Sequence, residues 1–317
     1  MIKVDSVSKH FGKTKAVDSI SFEVQEQENL ILLGTSGCGK TTTLKMINRL
    51  IEPTSGNIFI NGKNIADEQP ETLRRSIGYV LQNNGLFPHY TVAENIAIVP
   101  NLLKWDKKKT ENRTAELMEK LHLTADYLHV YPNELSGGQQ QRIGLARALV
   151  SDPPVLLMDE PFGALDNVTR ANIQKEFKAL DELTRKTIIM VTHDVQEAFE
   201  LGNRICLMDK GTIIQSGTPA DLLFKPANKF VKDFLEDQRL QLEFKAIKLI
   251  DLWPLLPDHQ KDKAHALPAN TDIWSALELL RFHNAETIDI RNEQNEIKTI
   301  GFEQLMSAFN QYKNKQA

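Results

Sequence analysis

A chain of 317 residues with 41% hydrophobic and 25% charged residues reads as an ordinary soluble globular protein, long enough to bury a sizeable core in about two domains. Its net charge of -4 provides no overall basic field for nucleic acid or anionic lipid, and neither is expected as a direct partner. Two cysteines argue against a disulfide framework and for a reducing compartment.

The opening MIKVDSVSKHF has no apolar signal region. The longest apolar runs, such as Val155 to Met158, fall far short of the roughly 18 to 20 residues of a membrane span. A cytoplasmic location is therefore expected, with any membrane role exercised through another subunit. Up to about residue 30, alternating positions such as Ile20, Phe22 and Val24 predict antiparallel strands. The continuous apolar run Leu30 to Leu33 predicts a buried parallel strand.

That run leads into GTSGCGKTT, which is Gly34, Thr35, Ser36, Gly37, Cys38, Gly39, Lys40, Thr41 and Thr42, and then into a helix expected to carry Leu44, Ile47 and Ile51. The spacing fits G-x-x-x-x-G-K-[ST], between a strand and a helix as that motif requires. Glycines let backbone N–H groups turn inward on phosphates, and the helix start adds partial positive charge. Lys40 is placed to reach the β and γ phosphates and the Thr41 hydroxyl to ligate Mg²⁺. Cys38 inside this loop reads as a small tolerated residue rather than a reactive thiol.

NIFINGK predicts a hairpin turned at Gly62, and Gln82 in GYVLQNNGLFPH offers a neutral amide to a metal or a water. Between Tyr90 and Pro132 the strand signals vanish and a charged, helix-rich insertion takes over. LSGGQQQR then opens another helix, with Ile143, Ala146 and Leu149/Val150 forming an expected one-sided stripe. Its start, Ser136, Gly137, Gly138 and Gln139, has the layout of a second anion site with no lysine or acid of its own.

In VLLMDEP a buried strand ends at Asp159, where a carboxylate can bind the magnesium directly or through water. Glu160, pointing the other way, can orient or deprotonate the attacking water. His193, ending the strand of IIMVTHD, is placed to contact the γ phosphate. Paired acids after a phosphate cradle point to nucleotide hydrolysis. ICLMDKGTIIQSG predicts a further hairpin at Gly211, and TPADLLFKPANKFVKDFLED is expected to close a first domain at about residue 237. Strand and helix alternate as in an α/β fold.

With these motifs in order, the chain resembles the ATP-binding cassette family over roughly residues 1 to 237. The fold this implies is a P-loop NTPase with a mixed core sheet, an antiparallel β subdomain and a helical insertion. The resemblance further implies a head-to-tail homodimer in which Ser136 and Gly138 bind the γ phosphate held by the other subunit's cradle. It makes Phe11 the adenine-stacking aromatic, where tyrosine is common, Gln82 the Q-loop, Asp166 the D-loop and His193 the switch histidine, with ATP and Mg²⁺ as cofactors. The run Leu86, Phe87, Pro88 and Tyr90 falls where the family receives a short helix from its membrane partner.

TTTLKMINRLIEPTSG, LQNNGLFPHYTVAENIAIVP and MDEPFGALDNVTR are similar to the ATPase subunits of osmoprotectant importers, which work with permease subunits and a substrate-binding protein or domain. The stretch between Lys40 and Ser136 has no room for the long coiled coil of the DNA-repair and chromosome members. A single cradle and a single signature also differ from the two-cassette translation proteins. Residues 238–317, with ten Lys/Arg against eleven Asp/Glu, contain a helix, strand, strand, helix pattern from Ile273 to Tyr312. It resembles one cystathionine-β-synthase-type (CBS) motif, a small α+β module, preceded by a poor first copy. A regulatory or dimerising domain is expected there, with Leu277, Leu280, Ile288 and Leu305 packed against a twin.

Overall fold

The computed structural model describes residues 2–82, 85–257, 266–282 and 285–316. Asn83 and Asn84 of the Gln82 stretch, and 258–265 of the poor first CBS copy, lie outside the described residues. Chain contacts divide the molecule into two units, the first ending at Ile214 and the second beginning at Gln215.

In the first unit the alternating N-terminal pattern forms β1 (Ile2–Phe11) and β2 (Thr14–Val24), antiparallel with Val4 opposite Phe22 and Val7 opposite Ile20. All four side chains are buried although Val4 and Val7 are an odd number of residues apart, because the register shifts between them where Ser6 turns to φ 51°. Strands β4 (Ser55–Ile60) and β5 (Lys63–Asn64) complete a four-stranded sheet in the order β2-β1-β4-β5. Asn61 and Gly62, at φ 51° and 78°, make the tight turn between β4 and β5 that the NG pair predicts.

The second sheet contains β3 (Asn29–Gly34), β6 (Ile77–Val80), β7 (Val155–Asp159), β8 (Thr187–Thr192), β9 (Arg204–Asp209) and β10 (Thr212–Gly217), ordered β10-β9-β3-β8-β7-β6. Strands β6, β7, β8, β3 and β9 pair side by side in parallel. Leu30, Leu32, Leu157, Ile189 and Val191 share one core with the β1–β2 side chains and with Leu44, Met46 and Ile47 of helix Lys40–Ile47. Burying each such side chain contributes about 1.5–3 kcal/mol, so the phosphate cradle rests on a well-packed core.

Two local expectations are corrected. Helix Lys40–Ile47 stops before Ile51, because Asn48 caps it and Arg49 turns to φ 48°. Helix Gly137–Leu149 buries Ile143, Ala146 and Leu149 and also Gln141 and Arg147, so it is enclosed more widely than a one-sided stripe requires. The insertion supplies helices Val92–Leu102 and Lys107–Lys120, each begun by a side-chain cap, Thr91 and Asp106. No helix among the described residues is long and apolar enough to cross a membrane.

The second unit contains the expected helix Ile273–Phe282, antiparallel β12 (Thr287–Arg291) and β13 (Ile297–Gly301), and helix Phe302–Gln316. A short β11 (Leu267–Pro268) lies parallel to β12; two residues ending in proline carry no strand signal in the sequence. Two of the four residues expected to pack against a twin are already covered within the single chain. Leu305 and Leu280 are only 0% and 6% exposed within the single chain. Leu277 and Ile288 pack against the same local core of Phe244, Ile290 and Phe309.

Candidate functional site

The cradle follows from strand β3 stopping at Gly34 and the helix starting at Lys40. Gly39 has φ 105°, and a Cβ there would stand 2.4 Å from the Ala16 carbonyl oxygen of β2. The antiparallel sheet thus presses directly on the loop, and only glycine fits. Gly34 is equally constrained, since a Cβ would meet the Met208 carbonyl oxygen at 2.2 Å. Thr35, Ser36 and Gly37 are exposed at the tip, and Thr42 is half-buried in the first helical turn. The Lys40 ammonium is buried and donates to the Gly34 and Thr35 carbonyl oxygens at 2.8 and 2.9 Å. Cys38 packs into the core, and burial pushes its thiol above the ordinary range, which leaves it unreactive.

Parallel pairing brings the ends of β7 and β8 beside this loop. Asp159 is opposite Val191 and nearly fully buried, and its Oδ1 accepts a 2.8 Å hydrogen bond from Thr41 Oγ1. Burial raises the Asp159 carboxyl, opposed by the Thr41 hydrogen bond and by Lys45 and Lys40. A hydroxyl beside a carboxylate is a pair of hard oxygen donors, and Mg²⁺ is usually held by one or two carboxylates plus phosphate oxygens. These residues fit such an ion.

Glu160 continues the ladder, its N–H donating to the Val191 carbonyl at 3.0 Å, but its φ of 44° turns the side chain away from Asp159. There Oε2 accepts from Gln82 Nε2 at 2.9 Å and lies 3.1 Å from His193 Nδ1. One carboxylate oxygen of Glu160 therefore brings together Gln82 and His193, which lie far apart in the sequence.

The signature residues form a group of their own. Ser136 caps helix Gly137–Leu149: its Oγ accepts from Gln139 N at 3.3 Å while Gln139 Oε1 accepts from Ser136 N at 2.8 Å. The serine hydroxyl acts as an acceptor here and keeps its own proton for another oxygen. A Cβ on Gly138 would be 3.0 Å from Thr169 Cγ2, so the signature abuts the helix Asn167–Ala179 that Asp166 caps. Asp166 Oδ1 accepts from the Thr169 and Val168 N–H groups, and hydrogen bonding from Thr169 and Val168 holds its carboxyl below the usual range. Phe11 ends β1 with its ring 52% exposed and Lys9 Nζ 5.1 Å from the ring centroid. No described hydrogen bond joins Phe11, Ser136 or Asp166 to the cradle.

Several contributors left little trace in the sequence. Asn95, fully buried, accepts from Phe87 N and donates to the carbonyls of Phe87, Tyr90 and Thr91, holding the exposed Phe87–Tyr90 run in place. Arg147, buried in the signature helix, donates to the Gly85 carbonyl at 2.7 Å just beyond Gln82. Behind His193 lies Glu197, 4% exposed, whose carboxyl burial pushes up to about 7. Only the acidic character of HDVQE hinted at it.

Comparison with known proteins agrees with this geometry. A family model described as ABC transporter matches residues 17–163. The glycine betaine/carnitine/choline transport ATP-binding protein of Bacillus subtilis is 46% identical over 94% of this chain and 77% of its own length. The osmoprotectant import ATP-binding protein of Salmonella typhimurium is 53% identical over 75% of this chain and 64% of its own. The glycine betaine uptake system ATP-binding protein of Escherichia coli is 43% identical over 96% of this chain and 99% of its own. Among solved structures, a dimeric bacterial ABC transporter cassette superposes with a TM-score of 0.62 at 34% identity, over 69% of this chain and 98% of that one.

Proposed function

Because the chain belongs to the ABC transporter ATP-binding family, we propose that it is the ATPase subunit of an importer that takes up a quaternary-amine osmoprotectant through separate permease subunits. The observation that carries the catalytic part is the shared oxygen of Glu160, within reach of Gln82 and His193 and adjacent in sequence to the Thr41–Asp159 pair. A carboxylate at a β-strand end, turned away from the metal-binding acid, is placed to take a proton from water while its neighbour stays with the cation.

In this reading Lys40 and the loop N–H groups of Gly34 to Thr42 bind the triphosphate, and the exposed Phe11 ring stacks on the adenine. Thr41 and Asp159, together with Gln82, would hold Mg²⁺, which would supply charge neutralisation on the transferred phosphate. Two chains close head to tail so that Ser136, Gly137, Gly138 and Gln139 face the partner's nucleotide and Asp166 shapes the loop between them. Donors that arrive only on closure act in a water-poor site, where they are worth most.

Support for the cargo comes from the names of the relatives, which handle glycine betaine, carnitine or choline. We place the protein on the cytoplasmic face of the membrane, bound peripherally through the permease, with a substrate-binding protein or domain on the far side. Residues 1–237 serve as the ATPase domain and 238–317 as a CBS-like regulatory or dimerisation domain.

The test is ATP hydrolysis by the purified chain and by mixed pairs of variants. Lys40→Ala should abolish tight ATP binding. A pair combining Lys40→Ala in one chain with Ser136→Ala in the other retains one intact composite site and should hydrolyse ATP, whereas a chain carrying both changes should not. Equal activity of the two preparations would refute the shared site.

A further inference from the structure

The hydrogen bonds on either side of His193 are unusually complete for a side chain that is itself largely exposed. Thr192, the last residue of β8, is 2% exposed; its Oγ1 donates to Glu197 Oε2 at 2.5 Å and accepts from Asp194 N at 3.0 Å. The backbone before and after His193 is thereby fastened to one buried hydroxyl. Asp194 then caps the helix Val195–Leu201, its Oδ1 accepting from Glu197 N at 3.1 Å, while its Oδ2 lies 3.4 Å from Arg170 Nη1. Arg170 Nη2 donates to the Leu165 carbonyl at 2.9 Å, immediately before Asp166.

Glu197 contributes little to stability by this arrangement. Its Oε1 is buried with no hydrogen-bond partner among the described residues, and an unsatisfied buried polar atom costs about 1–3 kcal/mol. A leucine of similar size would pack there without that cost. A carboxyl at such a position points to a reason other than packing, and among the described residues the group it grips is the hydroxyl that fixes the His193 backbone.

We propose that Thr192 and Glu197 are positioning residues for ATP hydrolysis, a buried clamp that holds His193 at hydrogen-bonding distance from Glu160. This rests on the catalytic reading of Glu160 and His193 given above. Thr192 is buried and acts through the histidine, and Glu197 acts through Thr192.

The experiment is steady-state ATPase of the full chain carrying Thr192→Val, which keeps the shape and removes the hydroxyl, or Thr192→Ser, which keeps the hydroxyl. Each is made in the His193 and the His193→Ala backgrounds. Misplacing a reacting group by about 1 Å costs up to about a hundredfold, so Thr192→Val should lower kcat by about ten- to a hundredfold with KM for ATP little changed. Thr192→Ser should stay close to the parent. In the His193→Ala background Thr192→Val should be silent, since there is no imidazole left to position. Glu197→Leu, which deprives the Thr192 hydroxyl of its acceptor, repeats the test if Thr192→Val folds poorly, and Glu197→Gln, which keeps an acceptor oxygen, should rescue it. Full kcat in Thr192→Val, or a loss of the same factor in both backgrounds, overturns the clamp. Full turnover in His193→Ala alone instead overturns the catalytic reading beneath it.

Discussion

Replacing Glu160 with glutamine isolates the chemistry more cleanly than any other change at this site. The substitution preserves the size of the side chain and leaves the 3.0 Å bond from its N–H to Val191 untouched. Glutamine also faces the same left-handed backbone cost at φ 44°, so the fold should be unaffected. What disappears is a carboxylate oxygen able to receive a proton while Gln82 Nε2 at 2.9 Å and His193 Nδ1 at 3.1 Å hold it in place. Losing a positioned base costs about two to four orders of magnitude in rate, or about 2.7–5.4 kcal/mol of barrier at 1.36 kcal/mol per tenfold. In the proposed site, nucleotide binding uses other atoms, the Lys40 ammonium and the Thr41–Asp159 pair, so affinity for ATP should be nearly unchanged. Phosphate release under saturating ATP reads the first quantity, and nucleotide titration with size-exclusion chromatography reads the second and shows ATP-bound dimer accumulating. A variant that turns over within about threefold of the parent, with ATP bound normally, would remove Glu160 from the role of base.

Gly39→Ala would set a Cβ 2.4 Å from the Ala16 carbonyl oxygen at a φ of 105°, so it should lower stability by about 1–3 kcal/mol and weaken ATP binding; an unchanged melting curve and nucleotide affinity would show that β2 does not press on the loop. Arg113 grips Glu182 through two 3.1 Å bonds, with the Glu182 side chain 5% exposed and Lys120 Nζ at 2.6 Å. Arg113→Met removes the stronger partner of a buried anion and should cost about 3 kcal/mol in denaturant unfolding. The hydrogen bonds from Arg113, then Lys120, hold the Glu182 carboxyl at about 2 rather than the ordinary 4.5. A depressed acid stabilises the fold above its unfolded value, so the advantage of the parent over Glu182→Gln should be full above pH 4.5 and vanish as the pH falls through about 2. A difference that grows on acidification would contradict the ion pair. Phe87→Glu places a charge on a ring that is 44% exposed and should cut transport in reconstituted vesicles while sparing ATPase activity of the purified chain; equal loss of both would count against a permease contact.

The parts of the site that could be read from the sequence are those whose chemistry is local. A glycine loop between an apolar strand and a helix announces a cradle because strand end, loop and helix start are consecutive, and acids or a histidine at the ends of buried strands announce themselves the same way. What escaped notice depends on who meets whom across the chain. Ala16 against Gly39, Asn95 beneath Phe87 and Glu197 behind His193 are contacts set by sheet order and packing, and nothing in the spacing of residues encodes them. The apolar stripe of Leu280 and Leu305 shows the same limit from the other side, since periodicity marks a buried face and is silent about what covers it. In the C-terminal unit the cover is local, Phe244 and Phe309 packing edge to face at 4.9 Å within one chain.

That division also bears on the proposed sharing of the site between two chains, since neither half needs the other to be stable. The cradle and the Glu160 group sit on β3, β7 and β8, whose side chains are fully enclosed in the main core. The signature is anchored separately, by the Ser136–Gln139 cap, by Gln139 Nε2 donating to the Tyr127 hydroxyl at 2.8 Å and by Arg142 paired with Glu176 at 2.8 Å. Each half is therefore pre-shaped before any partner arrives, so pairing need not pay to order either one. The Arg170 link from Leu165 to Asp194 connects the signature-side helix to the His193 backbone within a single chain. On the proposed head-to-tail pairing, this link would be the route by which a partner's nucleotide at Ser136 biases this chain's own Glu160, so Arg170→Ala should weaken cooperativity of ATP hydrolysis while leaving ATP affinity intact; unchanged cooperativity would refute the route.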